Sequence, residues 1–226
     1  MKKSSRRLLI IGLLVFVMGA LIPVNSFAAD VDVYAEGAYT ETDFAVYIYA
    51  DINGPNILSA GVKLTYDTSE LTVTSAEKNE SVWFLGGESY MDPDISTPGE
   101  VVFILGKLDT ADPAAGVSGE RVLLGKAVFT RNITNDAPSV TLSLGRTTDT
   151  YSNFVATDAT DLDGSVNFIA ATVVQRGDAN ADGVITFADM SKVRAMITNN
   201  EFTIYADCNI DGVITFADMS CLRRKI

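Results

Sequence analysis

The sequence contains no histidine. This excludes a Ser-His-Asp triad, a Cys-His nucleophile pair and nearly all zinc-hydrolase sites. Cysteine is almost absent: Cys208 and Cys221 are the only two. A bridge between them is open, because sequence does not establish the geometry that a disulfide needs. Basic residues are scarce, 17 against 29 acidic ones. That balance argues against nucleic acid or an anionic membrane surface as partner and suits a protein that attracts cations. Long apolar runs are also lacking, apart from one near the N-terminus.

That run, Leu8 to Ile22, follows a basic stretch with Lys2, Lys3, Arg6 and Arg7 and precedes Ser26-Phe27-Ala28. Its length is about 15 residues, short of the ~20 needed to cross a bilayer core. Basic head, apolar middle and small-residue exit form the layout of a removable secretory signal. Residues 1–28 are therefore expected to be cleaved after Ala28, leaving a secreted, extracellular chain. Without the four basic residues of the leader, 13 basic residues face 29 acidic ones, a net of −16.

Residues 29–174 lack helical periodicity and alternate between strand-like runs and turn signals. Phe44–Ala50 is rich in β-branched and aromatic residues. From Leu58 to Tyr66, apolar and polar residues alternate with the period of two of a half-buried strand. Further runs are Leu71–Ser75, Val101–Leu108, Val122–Arg131, Ser139–Leu144 and Ser165–Val173. Asn53-Gly54-Pro55, Tyr66-Asp67-Thr68, Gly86-Gly87, Thr97-Pro98-Gly99, Asp112-Pro113, Asp136-Ala137-Pro138 and Asp163-Gly164 read as turns between them. The fold class is mainly β: an antiparallel jelly-roll β-sandwich. Glu70, Glu77, Glu80, Glu88, Glu100 and Glu120 form no distinctive acid pair, so they read as solvated acids. Trp83 with Phe84 reads as core, the alternative being an aromatic platform for a sugar ring.

The C-terminal region, 177–226, is a duplication. The ten residues from Asp182 to Ser191 recur letter for letter from Asp211 to Ser220. Each copy completes a twelve-residue loop with oxygen-bearing side chains at positions 1, 3, 5, 9 and 12 and glycine at 6, which is the EF-hand calcium spacing. The ligands expected for two Ca2+ ions are Asp178, Asn180, Asp182, the Val184 carbonyl, Thr186 and Asp189 in the first loop. In the second they are Asp207, Asn209, Asp211, the Val213 carbonyl, Thr215 and Asp218. Asp189 and Asp218 also open a helix, where a carboxylate favours the N-terminus. Met190, Val193 and Ile197, and Met219 and Leu222, have the spacing of apolar helix faces. The second helix has only Asp218 to Ile226 available and should be short or frayed.

Two departures from an EF-hand remain. Position 12 is Asp, and a turn at Gln175-Arg176-Gly177 stands where an entering helix would be. In both features residues 177–226 resemble the dockerin, whose repeat is a calcium loop and an exiting helix. The resemblance implies a small α-helical, calcium-dependent module that binds a cohesin-bearing protein. It implies contact through the loop-end pairs Phe187-Ala188 and Phe216-Ala217 and through Arg194 and Arg223. It also implies binding in two orientations related by near-symmetry. Residues 29–174 resemble a cohesin in the run Ser59 to Asp67 followed by Ser69 to Val73, and in the closing Asp163-Gly164-Ser165-Val166-Asn167. The expectation is a secreted, non-enzymatic adaptor of a cellulosome-like assembly, with neither nucleic acid nor a membrane span. Its sandwich would offer another dockerin or a polysaccharide a second surface; a carbohydrate-binding module carried by a dockerin is the alternative.

Overall fold

The computed structural model describes residues 30–85, 91–112, 115–133, 137–146 and 151–226. The expected leader, 1–28, lies outside the described residues, as do Gly86-Gly87, Glu88, Pro113 and Asp136. Among the described residues no helix is long and apolar enough to cross a membrane.

Among the described residues nine strands precede two helices: β1 Val31–Tyr39, β2 Asp43–Tyr66, β3 Leu71–Lys78, β4 Glu100–Gly106, β5 Val117–Arg131, β6 Val140–Leu144, β7 Val155–Ala156, β8 Val166–Phe168 and β9 Thr172–Gln175, then α1 Phe187–Asn199 and α2 Phe216–Leu222. β2 organises the sandwich. Its first half lies between β1 and β5, with β3 beyond β5. Its second half lies between β4 and β6, with β7 at its start. One strand thus serves both layers, bending where its register with β5 shifts between Ala50 and Ile57.

Asn53-Gly54-Pro55 is accordingly not a chain reversal, as its composition suggested. Its backbone bends from one sheet into the other, and the Asn53 and Gly54 amides donate to the Asp30 carbonyl. Bends and bulges at such corners are how a strand changes sheets. Within the sandwich two pairings are parallel: β8 and β9 both run parallel to β1. The expected strand Ser165–Val173 is broken into these two, and β1 itself carried no signal that the sequence reading used.

Side-chain alternation explains the core. Phe44, Val46, Ile48 and Ala50 of β2 point inward, as do Ala60, Val62 and Leu64 further along, against Val101, Phe103 and Leu105 of β4 and Leu124, Ala127 and Phe129 of β5. Trp83 is buried in this cluster, and its indole Nε1–H donates to the Leu123 carbonyl at 3.2 Å. Its face is therefore unavailable to a sugar. Ala45, Tyr47 and Tyr49, the other face of the same strand, form a second apolar cluster with Ala38, Ile204 and Tyr205. Here the C-terminal module meets the sandwich. A third cluster, inside that module, joins Val193, Met196 and Leu222 to Ala179 and Ala206, with Met190, Ile197 and Met219 packed against it.

Candidate metal centres

Each repeat folds as a loop running directly into a helix. Thr186 and Thr215 are the N-caps, each accepting at 3.1 Å from the backbone N–H two residues on. Asp189 and Asp218 sit three residues beyond the caps, and their carboxylates accept from the Thr186 and Thr215 amides at 2.7 and 2.8 Å. The helices therefore begin at Phe187 and Phe216, before the aspartates that the sequence reading took as their openings. Capping of this reciprocal kind satisfies two backbone donors per helix, and loss of the hydroxyl costs about 1 kcal/mol.

The two loops repeat each other's geometry. Asp178 accepts from the amides of Asp182 at 3.0 Å and Gly183 at 2.8 Å. Asp207 accepts from Asp211 at 3.2 Å and Gly212 at 2.9 Å. Gly183 and Gly212 have φ of +92° and +83°, a region that L side chains rarely adopt, so position 6 requires glycine. Asn180 donates through Nδ2 to Asp182 at 2.9 Å, and Asn209 donates likewise to Asp211 at 2.8 Å. The remaining carboxylate oxygen of each position 12 reaches back across its loop. Asp189 accepts from the Asn180 amide at 3.2 Å, and Asp218 accepts from the Cys208 amide at 2.9 Å.

Positions 1 and 12 are thus drawn in while 3 and 5 stay at the surface. Asp178 and Asp207 are each 1% exposed, Asp189 and Asp218 0%. Asn180, Asp182, Asn209 and Asp211 are exposed. Among the described residues no three His, Cys, Asp or Glu side chains converge as a ready-made metal cluster. The carboxylates instead turn onto the loops' own amides.

The donors nevertheless fit a hard cation. Among the described residues, none of the four buried aspartates takes part in an ion pair. Burying an uncompensated charge costs several kcal/mol, and hydrogen bonds from backbone amides offset only part of it. Burial raises the Asp207 carboxyl above its usual range, against the amide hydrogen bonds, and the nearby Asp218 charge adds to the rise. Two anions held together without a cation in an all-oxygen loop are the chemistry that calcium satisfies.

The expected partner-binding residues lie outward. Phe187 and Phe216 are 70% and 68% exposed, although both are large and apolar. Ala188, Ala217, Arg194 and Arg223 are also exposed. Cys208, at position 2 of the second loop, is disulfide-bonded to Cys221 of α2, which resolves the pairing left open by the sequence.

Sequence reading missed the groups that hold this module to the sandwich. Phe202, Ile204 and Tyr205, between the repeats, pack on the outward face of β1, β2 and β5. Arg121 pairs with Glu36 through both terminal guanidinium nitrogens and donates to the Phe202 carbonyl at 3.3 Å. A signal existed: Phe44–Ala50 is apolar on both faces, the mark of a strand covered on both sides. Of the carboxylates screened as acid candidates, Glu88 lies outside the described residues and Glu120 is exposed. Glu77 pairs with Lys126 and Glu100 with Lys63.

Residues 176–226 match the family model of the dockerin type I domain. No curated protein matches the chain. Solved structures similar to it include CaCohA2 of Clostridium acetobutylicum, at 14% identity and TM-score 0.47, covering 68% of this chain and 95% of that one. The seventh ScaB type I cohesin of Pseudobacteroides cellulosolvens is 15% identical at TM-score 0.45, covering 64% and 91%. A non-cellulosomal cohesin of the archaeon Archaeoglobus fulgidus is 16% identical at TM-score 0.44, covering 68% and 96%. Residues 176–226 thus form a segment that matches the dockerin type I domain.

Proposed function

We propose that the chain is a secreted, non-catalytic adaptor whose C-terminal module docks a cohesin-bearing protein in a calcium-dependent way. The observation that carries this reading is the pairing of two unlike features in each repeat. Among the described residues, two carboxylates per repeat are buried without a cationic partner, and directly beside them a large aromatic stands exposed at the start of a helix. Asp178, Asn180, Asp182, the Val184 carbonyl, Thr186 and Asp189 would hold one ion; Asp207, Asn209, Asp211, the Val213 carbonyl, Thr215 and Asp218 would hold the other. Bound calcium supplies positive charge and a demand for six to eight oxygens. The chain's part is to keep positions 1 and 12 buried and to fix the helix starts, so that Phe187, Ala188, Arg194, Phe216, Ala217 and Arg223 present a defined surface.

The sandwich is the second binding surface in this reading. Residues 202–206 cover the outward face of β1, β2 and β5, which leaves the opposite layer to a partner. There Lys63, Thr65, Val102, Ile104, Thr141 and Ser143 alternate with core positions of β2, β4 and β6. The polysaccharide alternative gains nothing from Trp83, which is core.

Isothermal titration of calcium into chelator-treated protein, followed by titration with a type I cohesin, tests the reading. Two bound ions and cohesin binding only in their presence are expected. Uptake of no calcium would sink it.

A further inference from the structure

Both candidate calcium loops start from one seam. Asp178 follows Arg176-Gly177, and Asp207 follows Tyr205-Ala206. The Gly177 amide donates to the Tyr205 carbonyl at 2.9 Å, so the segments leading into the two loops form a single hydrogen-bonded rung. Gly177 has φ +105°, and a Cβ there would meet Leu222 Cδ1 at 2.9 Å, so the rung admits no larger residue.

The sandwich holds both sides of this rung. The Arg176 amide donates to the Tyr39 carbonyl at 2.7 Å. Its buried guanidinium pairs with Asp43 and donates to the Ala38 carbonyl at 3.4 Å. On the other side, the Tyr205 hydroxyl donates to the Thr172 carbonyl at 3.3 Å, and its ring packs with Ile204 against Ala45, Tyr47 and Tyr49. Phe202 lies against Tyr47, their ring centroids 5.5 Å apart. From the C-terminus, Lys225 Nζ donates to the Arg176 carbonyl at 2.7 Å.

The first ligand of each loop thus extends from backbone that the sandwich has already fixed. A loop with a fixed start loses less conformational freedom when it closes on an ion, and so binds more tightly. By linkage the effect is reciprocal: whatever the seam does for ion affinity, the ion does for the seam.

We propose that the outward face of β1, β2 and β5 is a coupling seat. Seating of Arg176 and Tyr205 on the sandwich raises the calcium affinity of both loops, and calcium in turn tightens the seat. The chain then responds to calcium as one body, and not as a sandwich trailing a free module. This inference rests on the calcium reading above.

The test alters only the sandwich side of the seam, in the whole chain. Tyr47→Ser removes the ring under Phe202; Asp43→Asn removes the charge facing Arg176 and keeps the shape. Trp83 emission checks that the sandwich remains folded in each. Calcium affinity by isothermal titration should fall about tenfold in Tyr47→Ser and several-fold in Asp43→Asn, within the usual range of coupling between sites. In the wild type, calcium should slow hydrogen exchange of the Arg176 and Gly177 amides, and this protection should be lost in Tyr47→Ser. Wild-type affinity in both variants, with exchange at Arg176 indifferent to calcium, would overturn the seat and leave the calcium reading intact. Absence of calcium uptake by the wild type would overturn both.

Discussion

Asp189 and Asp218 each serve two structures, since each closes a loop and caps a helix. Their substitution mixes both losses, as does that of the capping threonines, unless calcium is withheld. Thr186→Ala, measured by thermal unfolding with chelator present, should destabilise the module by about 1 kcal/mol through the cap alone. Asp178→Ala touches no cap, and in calcium titration it should abolish uptake by the first loop while the second persists. Asp43 provides a pH test. Burial pushes its carboxyl up, but hydrogen bonds from Thr40 and Arg176 and the Arg176 charge outweigh this and hold it below the usual range. A depressed carboxyl adds stability above its unfolded pKa and loses it as the pH falls through the folded value. The stability gap between wild type and Asp43→Asn should therefore be full near neutrality and close below about pH 4. Arg176 and Lys225 are the cations that face it. The sequence showed the loop residues because the proposed calcium sites demand a fixed spacing of oxygen donors. It hid Asp43 and Arg176, which lie far apart in the chain and pair only once β1, β2 and the module are assembled.

At the scale of elements, α2 is the weakest piece. It has seven residues, too few for a helix to stand alone in water. The Cys208–Cys221 disulfide ties it to the candidate calcium loop that precedes it. A closed loop of this size is worth about 3 kcal/mol in the chain-entropy account. Reduction should therefore lower calcium affinity at the second loop more than at the first, as titration with and without reductant would reveal. The helix starts carry the proposed contact. Because Phe187 and Phe216 are both exposed, Phe187→Ser or Phe216→Ser should leave the melting temperature nearly unchanged. If the two repeats can replace each other, either single change should weaken cohesin binding modestly in surface plasmon resonance, and both together should abolish it. β2 taught the opposite lesson. Its inner residues were legible by alternation, but its continuity through Asn53-Gly54-Pro55 was not, since those residues favour a reversal locally and only the need to close two sheets makes them a bend.

Across the whole molecule, the two sandwich faces differ in what covers them. One is covered by the chain's own residues 202–206, and on the other Thr65 of β2 and Thr141 of β6 are exposed. Substituting Thr65 or Val102 by Arg should therefore block a dockerin arriving at the sandwich without altering calcium titration. Surface plasmon resonance against a panel of type I dockerins checks this. Sequence by itself determined the features set by local chemistry. A duplicated register of oxygen donors around glycine is the spacing of a cation loop, and strict alternation in β2 means a sheet with one face in the core. It also excluded histidine chemistry outright. Tertiary structure alone decided which aromatics are core and which are seam, that β8 and β9 run parallel to β1, and that the module sits on the sandwich. The physical reason is common to all three. Each depends on which distant segment covers an apolar face, and an apolar residue satisfies that demand equally well against many partners, whereas a calcium ligand must stand at a fixed position in its own loop.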